Sequence, residues 1–261
     1  MSLVFPPSPS TRPVERPRRR GRLDDLLRWY ESCLTGGALA EPANTRLLRG
    51  GAEAGRPSSG APDDVREVRW STSATSTSAF EFGRGVVDRE ADCGTGLLLL
   101  ADSPRAWTPA TAAIAAMTDI EPVSAVGWGR CGEERHWVAQ VSAVRDERYR
   151  LFGAARAPER LIELVDQEIA VTAGFCVQAA LRRTPLLLDG EVSTAGALIA
   201  ERLLPGARAW WQAAHRTATP AHEQGLSRLG LAPTFALELP ADGLGPILAL
   251  QALRTAIRTA E

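Results

Sequence analysis

The chain contains no lysine, so all 30 of its basic residues are arginine. Arginine stays protonated in proteins, which excludes Schiff-base and lysine general-base mechanisms. Cysteine is sparse and scattered: Cys33, Cys93, Cys131 and Cys176 form no C-x-x-C pair. That argues against structural zinc and fits reduced thiols. No apolar run approaches the roughly 20 residues that a spanning helix needs. The arginine- and proline-bearing N-terminus has no apolar stretch behind it, so no membrane association and no secretory signal is expected, and the chain is read as cytoplasmic. A formal net charge of −1 gives no field that would favour nucleic acid or an anionic membrane. His215 and His222 lack a third ligand at metal spacing, so no metal is expected, and no nucleotide fingerprint in the sequence calls for a cofactor. What is present is ordinary: 261 residues, 44% hydrophobic and 23% charged, enough for one substantial core.

Residues 1–20 carry five prolines and the Arg18–Arg20 run, the composition of a disordered arm. Leu23, Leu26, Leu27 and Tyr30 recur with helical spacing and predict a helix over Gly21–Cys33. Residues 35–78 are rich in Gly, Pro, Ser, Thr and Ala without a sustained period and read as a linker or as the remains of lost structure. From Gly94 a unit repeats: an apolar strand, a polar residue at its end, then a capped helix. Gly96–Ala101 ends in Asp102 before Thr108-Pro109 opens a helix over 110–117, with Thr108 as N-cap. Helices are predicted over Glu133–Arg150, Ala157–Asp166 and Ile169–Leu181. Leu186–Leu188 ends in Asp189-Gly190-Glu191, and the next helix takes Ser193 or Thr194 as its N-cap. Ala209–Ala214 ends at His215, and Phe235–Leu239 runs to Asp242-Gly243 before a last helix over 246–259. Continuous apolar strands suit a parallel sheet covered on both faces, so the fold class is α/β: three layers, a mostly parallel sheet flanked by helices. In such a sheet Asp102, Asp189, His215 and Asp242 share one edge, where ligands of open α/β sheets bind.

Generic signatures do not identify the chemistry. Gly94-Thr-Gly96 precedes a strand and is no dinucleotide fingerprint. Ser193, His215 and Asp189 can be drawn as a nucleophilic triad, but Ser193 lacks the G-x-S-x-G setting and the capping role is preferred.

A longer pattern is more specific. Pro185-Leu-Leu-Leu-Asp-Gly-Glu-Val-Ser-Thr-Ala-Gly-Ala-Leu198 resembles P-V-x-x-D-G-x-x-S-x-x-A-A-L, and Gln212–Ala218 resembles a segment S-H-x-S-A. Leu226–Pro233 resembles A-L-x-x-L-x-x-x-P, and Asp242–Gly245 falls at G-E-G-[ST]-G. Ala125-Val-Gly-Trp-Gly129 resembles V-V-G-x-G, and Gly94–Ala110 resembles the G-E-x-G-x-x-N-T-T region. From Gly94 to the C-terminus the chain thus resembles the nicotinate-nucleotide–dimethylbenzimidazole phosphoribosyltransferase family, with these segments in the family's order. Composition and resemblance together divide the chain into a disordered arm (1–20), a helix plus Gly/Pro/Ser-rich linker region (21–90) and a phosphoribosyltransferase-like α/β domain (91–261).

The resemblance implies transfer of a 5-phosphoribosyl group from nicotinate mononucleotide to 5,6-dimethylbenzimidazole, giving α-ribazole phosphate in cobalamin biosynthesis without a metal. The partners it implies are these small molecules and a second copy of the chain, or an intact homologue. It places the general base at Asp242, where the family has Glu. Substrate-binding positions fall at Asp102, Arg105, Thr108, Gly127, Gly129, Asp189, Ser193, His215, Gly243 and Gly245. Arg105, Gly127 and Gly129 are expected at the phosphate. Departures accompany the matches. The G-E-x-G-x-x-N-T-T turn has become Ala101–Pro109, a family lysine appears as Gln140, and the D-H-G strand motif has no counterpart in 35–90. Two readings therefore stand together: a short, diverged enzyme, and a catalytically degenerate paralogue that binds a nucleotide or a protein partner.

Overall fold

The computed structural model describes residues 21–34, 38–50, 61–71, 75–128 and 131–260. The expected arm at 1–20, and Gly129, lie outside the described residues. Five strands, β1 (Arg46–Gly50), β2 (Arg66–Trp70), β3 (Leu98–Ala101), β4 (Leu186–Leu188) and β5 (Trp211–Ala213), form one parallel sheet in the spatial order β2-β1-β3-β4-β5. The helices follow in chain order as α1 (Arg22–Cys33), α2 (Ser76–Asp92), α3 (Trp107–Thr118), α4 (Pro122–Val126), α5 (Glu134–Phe152), α6 (Pro158–Leu164), α7 (Gln167–Leu181), α8 (Glu191–Leu203), α9 (Pro220–Leu229) and α10 (Leu244–Arg258).

Alternation along the strands makes the layers. Leu48, Leu98, Leu100, Leu186 and Leu188 face one core with α2, α3, α7 and α8. Leu47, Leu97, Leu99 and Leu187 face the other, closed by α1 and α10. The expected three-layer α/β architecture is therefore present. In the thicker layer α2 and α7 meet backbone to backbone: a Cβ on Gly174 would lie 2.2 Å from the Phe80 carbonyl oxygen, and one on Gly83 would lie 2.2 Å from that of Val171. Any side chain at either position would force the helices apart.

Several expectations need correction. The stretch 35–78, read as a linker or as the remains of lost structure, supplies β1 and β2. Their arginines hide the strand signal: Arg46 pairs with Glu90 on α2 (2.9 Å), and Arg49 and Arg69 flank Glu67 (3.2 and 3.0 Å). The sheet thus gains two strands held partly by ion pairs, and charge on the edge strand β2 fits its position. Helix α3 starts at Trp107, so Thr108 is not its N-cap. A 3₁₀ turn, Pro104–Ala106, leads into it, and Ser103 Oγ accepts the Arg105 N–H (3.4 Å). Ala207–Trp210 is also 3₁₀, which delays β5 to Trp211. Finally, β6 (His215–Arg216) and β7 (Phe235–Glu238) pair in a separate parallel ladder. Asp242 therefore reaches the site from that ladder and not from the main sheet edge.

Candidate active site

The carboxyl ends of β3 and β4 lie side by side and exchange caps. Helix α8 begins at Glu191 with Gly190 as N-cap residue and no side chain there to accept its first amides. A Cβ at Gly190 would meet Ala241 Cβ at 2.4 Å, so the turn has no room for a capping side chain of its own. The cap comes from the neighbouring strand. Asp102 Oδ2 accepts the N–H groups of Gly190 (3.2 Å), Val192 (2.7 Å) and Ser193 (3.1 Å), and its Oδ1 shares that of Ser193 (3.1 Å). Ser193 is not the N-cap; its Oγ donates to Gly190 O (3.1 Å) and accepts from Asp189 N (2.9 Å). Burial pushes the Asp102 carboxyl well above its usual range, as does the charge of Asp189, while the α8 amides oppose both.

Asp189 ties three elements together. Its Oδ2 accepts the N–H of Asp102 (3.0 Å) and that of Gly243 (2.9 Å), while Oδ1 faces His215 Nε2 at 3.0 Å. His215 Nδ1 lies 3.0 Å from Arg216 O. A carbonyl can only accept, so Nδ1 carries a proton, and one further proton must sit between Nε2 and Asp189. Burial raises the Asp189 carboxyl against the pull of His215 and the two amides. Burial alone would lower the His215 imidazolium, but the hydrogen bond and charge of Asp189 outweigh it and hold it above the usual value. The two amides on Oδ2 favour the carboxylate form of Asp189, so we place the shared proton on His215. The ring is wedged against Gly245, where a Cβ would stand 2.0 Å from His215 Cδ2.

A second buried group, which sequence reasoning missed, surrounds Glu191. Its Oε1 accepts from Thr217 Oγ1 (2.8 Å) and Trp107 Nε1 (3.2 Å), joining the head of α3 to α8 and the β6–α9 turn. His222 Nδ1 accepts the Thr217 N–H (3.1 Å), and burial lowers that imidazole to about 4, leaving it neutral. A second acidic residue, Glu191, so close after Asp189 in a run of apolar and small residues was the available signal.

The remaining site positions surround this network. Asp242 is exposed; its Oδ1 accepts the Leu244 N–H (3.1 Å) and its backbone oxygen accepts from Arg49 Nη2 (2.7 Å). Its Oδ2 has no partner among the described residues. Gly243 turns with φ 93°, and a Cβ there would meet Ala101 Cβ at 2.9 Å. Thr108 Oγ1 donates to Gln140 Oε1 (2.8 Å), so Gln140 ties down the threonine. Gly127 (φ 61°) passes Pro220 so closely that a Cβ would meet its Cδ at 2.6 Å. The Gly127 N–H is already given to Val123 O (3.3 Å), which makes the glycine a packing device more than a donor. Arg105 is exposed at the β3–α3 turn. Glu168 opens α7 beside Ser103 and Arg105. Burial raises its carboxyl, and these two neighbours oppose the shift. With Gly50, Trp70, Phe175 and Ser103 it lines a pocket of about 10 Å³, room for a single water. Asp102, Asp189, Ser193, His215, Gly243 and Gly245 thus form one connected unit, with Asp242 on its rim. Arg105, Thr108 and Gly127 stand beside it, outside its hydrogen bonds.

Comparison with known proteins gives a consistent result. A family model described as phosphoribosyltransferase matches residues 70–261. The chain is 42% identical over 189 residues to the nicotinate-nucleotide–dimethylbenzimidazole phosphoribosyltransferase of Mycobacterium tuberculosis, covering 71% of this chain and 52% of that protein. The Mycobacterium avium protein of the same name is 40% identical over 221 residues, 84% of this chain and 62% of that one. The chain spans about half the length of the curated relatives it matches. The crystal structure of the Thermus thermophilus protein of that name superposes with a TM-score of 0.77 at 23% identity, covering 94% of this chain and 91% of that one, a likeness of fold.

Proposed function

This chain belongs to the nicotinate-nucleotide–dimethylbenzimidazole phosphoribosyltransferase family, and on that premise we propose that it moves the 5-phosphoribosyl group of nicotinate mononucleotide to 5,6-dimethylbenzimidazole. The benzimidazole nitrogen attacks the anomeric carbon, and the bond to the pyridinium nitrogen breaks with its electron pair going to that nitrogen. Nicotinate therefore leaves without needing a general acid. The attacking base must lose its N–H proton, and Asp242 receives it.

The observation that carries this reading is the placement of Asp242. A water-exposed carboxylate with one uncommitted oxygen stands on a turn whose next amide is anchored to buried Asp189. A positioned base of this kind contributes about 10²–10⁴-fold in rate. Arg105 provides the cation for the 5-phosphate, pairing with it bidentately. Asp102 acts through the architecture in this reading, since its oxygens are occupied by the α8 amides. The chain functions in the cytoplasm as a homodimer or beside an intact homologue, and exposed Val123, Trp128 and Val138 on or next to α4 and α5 offer apolar surface to a second chain. No described helix is long and apolar enough to cross a membrane.

Chromatographic product analysis tests the proposal: purified protein at high concentration, nicotinate mononucleotide and dimethylbenzimidazole, sampled over hours. Formation of α-ribazole phosphate and free nicotinate is expected. Binding of nicotinate mononucleotide without product would move the chain to the degenerate-paralogue reading.

A further inference from the structure

One carboxylate oxygen, Asp189 Oδ2, holds the backbone of two turns at once: the Asp102 amide at the end of β3 and the Gly243 amide at the head of α10. Gly243 directly follows Asp242, so the reach of Asp242 is set by where Gly243 is tethered. The other oxygen, Oδ1, is fixed by His215, and His215 is fixed in turn by Arg216 O and by the face of Gly245. Asp189 and His215 are both fully buried. Neither presents surface in this structure, and both amide bonds accepted by Asp189 Oδ2 bear on the two turns that frame Asp242.

We propose that Asp189, oriented by His215, is a positioning residue for the transfer reaction, a clamp that sets the distance between the Asp242 carboxylate and the β3 edge. This rests on the assignment of Asp242 as base. It also gives the aspartate at that position a physical counterpart: a side chain one methylene shorter than the family's glutamate works only on a turn held in a fixed place. The groups facing His215 are Asp189 from β4, Asp102 from β3 and His222 from α9, whose ring centroid is 6.2 Å away. Glu191 faces His222 on the far side. Deprotonating His215 would leave two acceptors opposed at 3.0 Å and loosen the clamp, so turnover and protection of the Gly243 amide should fall together at high pH.

Two substitutions separate the clamp from the charge. Asp189→Ala removes all three hydrogen bonds. Asp189→Asn keeps them, with Oδ1 accepting both amides and the side-chain NH₂ donating to a neutral His215. The full chain is measured by amide hydrogen exchange, read by NMR at Gly243 and Asp102, and by kcat and KM for nicotinate mononucleotide. In wild type both amides exchange slowly. In Asp189→Ala the Gly243 amide exchanges at least about tenfold faster, and kcat falls about 10²-fold, the cost of a misplacement near 1 Å, with KM changed less than about threefold. Asp189→Asn restores protection and keeps kcat within about fivefold of wild type. Equal loss of kcat in both variants would overturn the clamp, because charge and not position would then matter. So would fast Gly243 exchange in wild type, a result that needs no variant to fold. If wild type forms no product, the functional assignment fails, while the exchange data still decide whether the clamp exists.

Discussion

Replacing Gly245 by alanine should cost far more than a methyl group ordinarily does. The added Cβ would stand 2.0 Å from His215 Cδ2 and 2.7 Å from its Nε2. Carbons in contact rest about 3.5–4.0 Å apart, so the ring or the first turn of α10 must move by about 1.5 Å. His215 has no exposed surface and no space into which to retreat. Moving the ring stretches the 3.0 Å bond to Asp189, and moving the helix stretches the 2.9 Å bond from Gly243 to the same carboxylate. Overpacking alone costs about 1–3 kcal/mol, and breaking a buried charge pair about 3–5 kcal/mol. The two overlap, since relaxing one aggravates the other, so a loss of about 3 kcal/mol is expected, a large fraction of the roughly 5–15 kcal/mol of a typical fold. Urea unfolding followed by circular dichroism measures it as a fall in midpoint at constant slope. A loss below about 1 kcal/mol would refute the wedge of His215 against Gly245.

Other substitutions have distinct expected signs. Gly85→Ala, on α2 with Arg89 Nη1 at 3.8 Å as its nearest atom, should stabilise by about 0.5–1 kcal/mol in the same urea assay, since helical glycine carries an entropy penalty. Gly174→Ala, by contrast, aims a methyl at the Phe80 carbonyl oxygen at 2.2 Å and should lower the urea midpoint by at least the equivalent of about 1–3 kcal/mol. His222 is lowered to about 4 by burial, so between about pH 6.5 and 4 the unfolded chain takes up a proton that the native state refuses. Stability should therefore fall with pH across that window, by an amount on the order of 3 kcal/mol, and His222→Gln should flatten that part of the profile. His215 has the opposite sign. Its raised value adds stability that is fully present below the ordinary histidine range and is lost as pH rises through the folded value, seen as a decline in urea midpoint on the alkaline side.

How much of this was legible in the residues depends on where the signal lies. Thr184–Ala200 announces a buried strand, an acidic turn and a helix, and all three are present. Its cap could not be read locally, because the capping carboxylate is Asp102, far away in sequence and adjacent only once β3 and β4 pair. Asp189 and His215 were readable as polar residues at strand ends, and the fold brings them together. Asp242 was assigned to the same edge but arrives through the β6–β7 ladder, a placement that sequence periodicity does not encode. β1 and β2 escaped because Arg46, Arg49, Arg66, Glu67 and Arg69 break the apolar run. Ion pairs to Glu90 and between the strands compensate, and pairing of that kind is visible only in three dimensions. Glu168 sits at a helix head beside an ordinary N-cap, Asp166, and only the fold shows it half-buried against Ser103.

The most direct test of the central claim compares wild type with Asp242→Asn in the α-ribazole phosphate assay. Asparagine can keep the Oδ1 contact to the Leu244 amide while losing the ability to take a proton, so the turn is preserved and the base is removed. The account predicts that wild type makes product and that Asp242→Asn makes it about 10²–10⁴-fold more slowly, with unchanged unfolding behaviour. Product formed at the wild-type rate by Asp242→Asn would contradict it.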